Sequence, residues 1–508
     1  MLIKVPSAAN LGLKTIKVEV EVNVAKKGLP TLNIVGLPSK AVDESKERVK
    51  TAIINSGFQF PGNRIVVNLA PADIPKEGSF YDLPIALGIL SSTNHIRLPE
   101  SSLFFGELSL DGTLRHAKGA LLLALFAKEK GIKNIFIPKQ SANEAAVIKG
   151  VNVYPVKSLK ALLKHLSDEE LIEPAQYQEK GIEPIEIQAE FDMKEVIGQE
   201  QAKRAMEIAA AGGHNLFMLG SPGCGKTMLA RALPGILPTL TEDESLEVTK
   251  IYSISGYIPP EGSVIKTRPF RAPHHTISSV GLIGGGSYPQ PGEVSLAHRG
   301  VLFLDEFNEF PRSVLEALRQ PMEDGYLTIS RSKEKATFPA QFMLVASANP
   351  CPCGYLNHPK KVCTCTERQI QKYRKRISGP ILDRIDLHIE LPEVDTKKLN
   401  EDIKLSNRLE NSHQIRKRVV RARKRQEKRF KNERFFTNAE MKNRHIKKYC
   451  HLTKEVKQLL HQASSTFHLS ARVYYKMIKV ARTIADLEGS SEITPSHMAE
   501  ALQYRPKV

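Results

Sequence analysis

Residues 216–233, LFMLGSPGCGKTMLARAL, pass from an apolar segment through a glycine-rich loop into a helix start, and they match G-x-x-x-x-G-K-T in full. Glycine at 220, 223 and 225 lets backbone N–H groups wrap phosphates without Cβ clashes. The loop Gly220, Ser221, Pro222, Gly223, Cys224 and Gly225, with Lys226, Thr227 and Met228 after it, reads as a phosphate cradle. The helix N-terminus that follows adds a favourable dipole. Lys226 is expected to reach the β- and γ-phosphates, and the Thr227 hydroxyl to help hold Mg²⁺. A second stretch, GVLFLDEFNEF (300–310), is a buried-strand pattern ending in two acids. Asp305 is expected to bind Mg²⁺, directly or through water, and Glu306 to polarise the attacking water as general base. The chemistry is hydrolysis of a nucleoside triphosphate.

A third constellation is sulfur. Cys351, Cys353, Cys363 and Cys365 form C-x-C-x9-C-x-C within NPCPCGYLNHPKKVCTCT (349–366). Two close thiol pairs bridged by a loop can supply the four thiolates that tetrahedral Zn²⁺ takes. Four free cysteines, a redox pair and an iron–sulfur cluster are the rival readings. Lys360 and Lys361 are expected to offset the charge of such a centre. The metal then staples an insertion too polar to pack by itself, and it could position Arg384 or a DNA-facing loop. Cys224 and Cys450 are expected to lie outside the site.

The elements that must hold these groups follow from the pattern of the 508 residues. Residues 1–165 alternate strand-like runs (TIKVEVEVNV, RIVVNLA) with helical ones (GALLLALFAKEK), an α/β or α+β pattern. Residues 166–192 hold nine acidic residues against one Lys, with two prolines, and read as a linker. Apolar strands carry the phosphate and acid motifs over 193–395. The remainder, 396–508, reads as helical and basic.

The net charge of +18 favours a polyanionic partner such as nucleic acid or an acidic membrane surface. Residues 413–431 alone contribute ten Lys/Arg against one Glu. Arg421, Arg423, Lys424 and Arg425 there are candidate DNA contacts, whereas Phe430, Phe435 and Phe436 read as core. The hairpin-like LTISRSKEKATFPA (327–340) puts Arg331, Lys333 and Lys335 at its expected tip, where they could track a phosphate backbone. The N-terminus lacks a signal-peptide pattern, and LLLALFA (121–127) is too short to span a bilayer, so the expectation is a cytoplasmic protein.

VIGQE (196–200), FMLVASAN (342–349), ILDRIDLHIEL (381–391) and LSARVYYKMIKVARTIADLEG (469–489), in that order around the nucleotide motifs, resemble AAA+ ATPases. The resemblance assigns Ile197 and Gly198 to the adenine pocket and Asn349 to the polar sensor beside the γ-phosphate. It assigns Arg384 to an arginine finger given to a neighbouring subunit, hence to a ring, and Arg472 to the lid's second sensor. RPFRAPHHTISSVGLIGGG (268–286), LAHRGVLFLDE, LRQPMEDG (318–325) and NPCPCG are more specific. Together they closely resemble the magnesium-chelatase-like ComM/YifB proteins over essentially the whole chain. That resemblance implies a hexameric, ATP- and Mg²⁺-dependent DNA helicase promoting branch migration in natural transformation and homologous recombination. Its DNA partner would be single-stranded, forked or branched, and recombination proteins are further candidate partners. His274 and His275 read as loop structure near the nucleotide or pore.

PADIPKEGSFYDLPIALGIL (71–90) and GELSLDGTLRHAKGALLLALFAKEKGIKNIFIP (106–138) resemble the proteolytic domain of Lon-type proteases, a ribosomal S5-like α+β fold. Ser79 lies one residue early for the nucleophile of that resemblance, and Lys118 is the candidate lysine partner. The expectation is a non-proteolytic scaffold or DNA collar. The competing functional classes are a magnesium-chelatase motor subunit, a Lon-like ATP-dependent protease and a passive DNA-binding ring.

Overall fold

The computed structural model describes residues 2–26, 28–37, 39–74, 76, 78–94, 96–177, 189–258, 264–286, 289–330, 335–393, 410–433 and 435–506. They form two compact units, Met1–Ile182 with Ser245–Ile265, and Glu183–Glu244 with Lys266–Val508.

In the first unit, Leu2–Leu11, Lys14–Val24, Arg64–Ala70 and Thr31–Val35 stand in that order in one mixed sheet. The period of two is explicit in KTIKVEVEVNV, where Val18, Val20 and Val22 are buried and Lys17, Glu19 and Glu21 point away from the core. A second, parallel sheet of Ser102–Phe104, Asn134–Pro138 and Asn152–Val156 packs with helices Ala120–Glu129 and Lys139–Ala146. The segment Ser245–Ile265 belongs here because Val248 and Ile251 are fully buried, Leu246 packs on the core cluster around the Ala120–Glu129 helix, and the Ser253 hydroxyl donates to the buried Glu144 carboxylate. Sequence periodicity had left that segment inside the nucleotide domain.

In the second unit a five-stranded parallel sheet has the order Phe270–Arg271, Val301–Leu304, Met343–Ala348, Leu216–Gly220, Leu387–Leu391. VLFL and MLVASA are buried at every position, as a sheet covered on both faces requires. The register pairs Leu304 with Ala346 and Leu219 with Ala348, so Gly220, Asp305 and Asn349 emerge together at the carboxyl ends of three adjacent strands. Ligands of open α/β sheets bind at such edges.

The helical segment beyond the sheet is part of the same unit. Helix Ser412–Arg429 buries Ile415, Val419, Ala422 and Gln426, one stripe at helical spacing, and Asn411 caps it by accepting from the Gln414 N–H at 2.9 Å. Met193 N–H donates to Ser412 Oγ at 2.8 Å, and Lys476 on helix Ala471–Glu488 pairs with Asp386 at 3.3 Å, so polar ties as well as apolar packing join this segment to the sheet. No helix among the described residues is long and apolar enough to cross a membrane.

Candidate nucleotide site and cysteine knuckle

Gly223 and Gly225 adopt left-handed backbone angles (φ +83° and +93°), and a Cβ on either would meet open space. The requirement is conformational, and between the two glycines the Cys224 N–H donates to the Ser221 carbonyl at 3.3 Å. Helix Lys226–Ala232 starts directly after them. Lys226 Nζ donates to the carbonyls of Gly220 (2.7 Å) and Ser221 (2.9 Å) and to Asn349 Oδ1 (3.0 Å). The cradle lysine and the expected sensor are therefore in contact. Burial holds the Lys226 ammonium below its ordinary range.

Thr227 Oγ1 donates to Asp305 Oδ2 at 2.7 Å, and Ser347 donates to the other oxygen. A hydroxyl and a carboxylate side by side are the hard oxygen donors that Mg²⁺ takes. Glu306 sits at φ +52°, an uncommon angle for a non-glycine residue, with its carboxylate exposed and 3.2 Å from His275 Nδ1. The HH of the sequence thus supplies a direct neighbour of the expected general base, a contact spacing could not reveal. Ile197 and Gly198 adjoin Gln199, whose amide donates to the Cys224 carbonyl (3.2 Å) and the Pro392 carbonyl (2.9 Å). Cys224 is buried, burial raises its thiol pKa, and Met228 packs against the core.

Arg384 and Arg472 are placed elsewhere. Both guanidinium groups bond to Glu323, Arg384 Nη2 to one oxygen and Arg472 Nη2 to the other at 3.0 Å. They line a cavity of about 1350 Å³ whose walls include no residue of the phosphate loop. Glu323 lies in the LRQPMEDG motif, which sequence reading singled out without a role.

The four cysteines converge. Cys351–Cys353, Cys353–Cys363 and Cys351–Cys363 sulfurs are 3.4, 3.5 and 3.7 Å apart, and all four lie within 4.8 Å of one another. Thiolates about 2.3 Å from a tetrahedral Zn²⁺ stand roughly 3.8 Å apart, so the set fits a metal and no pair is a disulfide. A hydrogen bond from the Tyr355 backbone brings the Cys353 thiol down to about 6. The backbone hydrogen bond at Cys365 lowers Cys363, but burial and the sulfurs of Cys353 and Cys351 outweigh it and push that thiol up to about 12. One thiolate forms readily and opposes the others, so a full set needs a cation. Lys360 and Lys361, expected to offset that charge, each have a partner other than sulfur. Lys360 lies 3.8 Å from Glu393, and Lys361 sits over the Tyr355 ring.

Among the DNA candidates, Arg331 and Lys333 lie outside the described residues. Lys335 is exposed, opens strand Lys335–Pro339 and pairs with Ser330 across an antiparallel hairpin. Helix Ser412–Arg429 divides the other four. Arg421 and Lys424 are exposed, and with the exposed Lys417 and Lys428 they occupy one helical face. Arg423 instead donates to the Ala210 carbonyl at 2.9 Å, and burial together with Arg268 lowers it to about 10. Arg425 donates to the Asp486 carbonyl at 2.6 Å. Arg423 is a fold contact turned toward a neighbouring helix, whereas Arg425 makes its bond while remaining exposed. Phe430 and Phe435 are buried against each other.

In the first unit the Ser79 hydroxyl donates to Glu107, while Lys118 is exposed beside Gly256. No Ser79–Lys118 bond forms among the described residues. A Ser–Lys dyad needs that bond.

Three family models align with the chain: Magnesium chelatase, subunit ChlI, over 192–399; Subunit ChlI of Mg-chelatase, over 20–141; and Magnesium chelatase, subunit ChlI C-terminal, over 409–505. Competence protein ComM of Haemophilus influenzae is 42% identical over 99% of this chain and 97% of its own length. The chain belongs to the ComM/YifB family. The uncharacterized YifB of Salmonella typhimurium is 41% identical over 99% of the chain and 96% of its own length. The magnesium-chelatase 38 kDa subunit of Rhodobacter capsulatus shares 28% over only 32% of the chain and 50% of its own length. Membership of the ComM/YifB family carries the magnesium-chelatase-like AAA+ architecture, which implies ATP and Mg²⁺.

Proposed function

We propose that this protein is an ATP-driven DNA translocase or helicase that promotes branch migration during natural transformation and homologous recombination. The observation that carries the reading is the exposed stripe Lys417, Arg421, Lys424 and Lys428, on the same compact unit as the ATP site. Four cations on one helix face match a phosphate backbone. The 42% identity to a competence protein supports the same direction.

In this reading Lys226 neutralises phosphate charge, Thr227 and Asp305 hold Mg²⁺, Glu306 accepts the proton of the attacking water, and Asn349 orients it. Mg²⁺ held there would neutralise phosphate charge. Arg384 and Arg472, away from the protein's own phosphate loop, serve a neighbouring subunit's nucleotide in a homo-hexameric ring. The four cysteines hold a structural Zn²⁺. The protein works in the cytoplasm.

A second reading, a motor subunit for metal insertion into a porphyrin, is favoured by the chelatase family models. ATP hydrolysis with and without forked and four-way DNA separates the two. Stimulation by DNA supports the DNA motor; indifference to DNA combined with porphyrin metalation supports the chelatase. Casein degradation tests the Lon-like protease, which the Ser79–Glu107 contact opposes.

A further inference from the structure

The cysteine knuckle touches the phosphate loop. Gly354, inside the knuckle, has φ +81°, and a Cβ placed there would lie 2.5 Å from Pro222 Cδ and 2.6 Å from Pro222 Cγ. Pro222 stands between Ser221, whose carbonyl holds Lys226, and the left-handed Gly223. The Gly354 N–H in turn donates to the Cys351 carbonyl at 2.9 Å, so the tight turn that meets Pro222 is built on a fully buried cysteine of the cluster. On the other side, Asn349 is joined to Cys351 only through Pro350, and its amide oxygen is the one that accepts from Lys226. Pro350 and the knuckle residues Leu356 and Asn357 also share a cavity of about 720 Å³ with Gly220 and Ser221. Two separate points of the nucleotide site, Pro222 and Asn349, therefore hang on the same four sulfurs.

We infer that the metal-bound knuckle is a positioning element of the ATP site, setting Pro222 through Gly354 and Asn349 through Pro350. The inference rests on the metal reading of the four cysteines. A merely stapled surface insertion would have no effect on nucleotide affinity. This one contacts the cradle itself, whereas Arg384 or a DNA-facing loop had been the expected beneficiary. Without the metal no covalent or coordinate bond ties the four sulfurs, and the knuckle is free to spread. Pro222 then loses its backing and Asn349 its anchor. Because Asn349 is assigned to the γ-phosphate, ATP binding suffers more than ADP binding.

The test uses the full chain, purified without chelator. Zinc content is measured by atomic emission, and the affinities of fluorescent ATP and ADP analogues are measured before metal extraction, after it, and after zinc is restored. Extraction is expected to weaken ATP at least about tenfold, roughly 1.4 kcal/mol, and ADP by less, with recovery on zinc addition. Gly354→Ala is expected to keep its zinc and its melting temperature to within a few degrees while losing ATP affinity. A protein that never contains metal sinks the metal reading and the inference with it. A protein whose zinc can be removed with no change in ATP affinity, and whose Gly354→Ala variant binds ATP normally, keeps the metal and overturns the coupling. If extraction unfolds the chain, the zinc-loaded Gly354→Ala variant decides: normal ATP affinity refutes the inference and weakened affinity upholds it.

Discussion

Arg384 and Arg472 meet on one carboxylate: each donates to a different oxygen of Glu323, although they lie on segments far apart in sequence. Burial alone would raise the Glu323 pKa, but the two arginines hold it below the usual carboxylate range. Glu323 thus fixes the separation and direction of both guanidinium groups. Arg384→Ala is expected to leave ATP binding within about twofold while hydrolysis falls by roughly 10³ or more, the scale of a lost arginine finger. Glu323→Gln is expected to lower hydrolysis less, because both arginines survive with weaker positioning. Steady-state hydrolysis beside equilibrium nucleotide binding checks both, and normal turnover by Arg384→Ala moves the finger assignment to Arg374 or Arg376.

Lys226→Ala should abolish nucleotide binding, whereas Glu306→Gln should bind ATP and hydrolyse it about 10²–10⁴-fold more slowly, the range of general-base contributions. His275 lies 3.2 Å from the Glu306 carboxylate. His275→Ala is accordingly expected to lower kcat by about tenfold, near 1.4 kcal/mol of barrier, with the ATP Kd unchanged. A change confined to Kd would detach His275 from the general base.

The exposed and the engaged basic residues of helix Ser412–Arg429 should separate cleanly. Arg421→Ala with Lys424→Ala is expected to weaken DNA binding and to reduce the salt slope by about 0.7–0.9 for each lost phosphate contact, leaving the melting temperature unchanged. Arg423→Ala is expected to lower the melting temperature, since it removes the donor to the Ala210 carbonyl. Filter binding across a salt series and thermal melts tell the two classes apart.

Asp386 is buried. Burial pushes its carboxyl up, but the Lys476 ammonium and His214 beside it outweigh that and hold it well below the ordinary carboxylate range. Its folded pKa lies below its unfolded value near 3.9. The stability it contributes is therefore complete above about pH 4 and is lost only as pH falls through the depressed value. Asp386→Asn leaves Lys476 buried without its counter-charge and is expected to cost about 3–5 kcal/mol at neutral pH. Denaturant melts at pH 7 and at about pH 2 check this, and an unchanged midpoint at pH 7 would contradict it.

What could be read from sequence was local and motif-borne. G-S-P-G-C-G-K-T and VLFLDE named the cradle and the acids because strand, loop and helix signals sit within a few residues of one another; the structure pairs Thr227 with Asp305, and Lys226 with Asn349, a residue singled out only by the AAA+ resemblance. The cysteine pairs announced their own convergence. Contacts made across long sequence separation were silent: His275 with Glu306, Gly354 with Pro222, and the shared Glu323. The basic run 413–431 showed the same limit. Charge is visible in composition, but which cations face solvent depends on helical phase and on partners such as Ala210 and Asp486. The assignment of Ser245–Ile265 to the first unit failed to show for the same reason, since its helix looks like any amphipathic stretch until its neighbours are known.

The most direct test of the DNA-motor reading is movement of a labelled four-way junction by the purified protein with ATP and Mg²⁺, resolved by gel, with Lys226→Ala as control. ATP-dependent conversion of the junction to its branch-migrated products, absent in Lys226→Ala and diminished in Arg421→Ala with Lys424→Ala, is the expected result. Hydrolysis that proceeds while the junction stays intact at every protein concentration would contradict it.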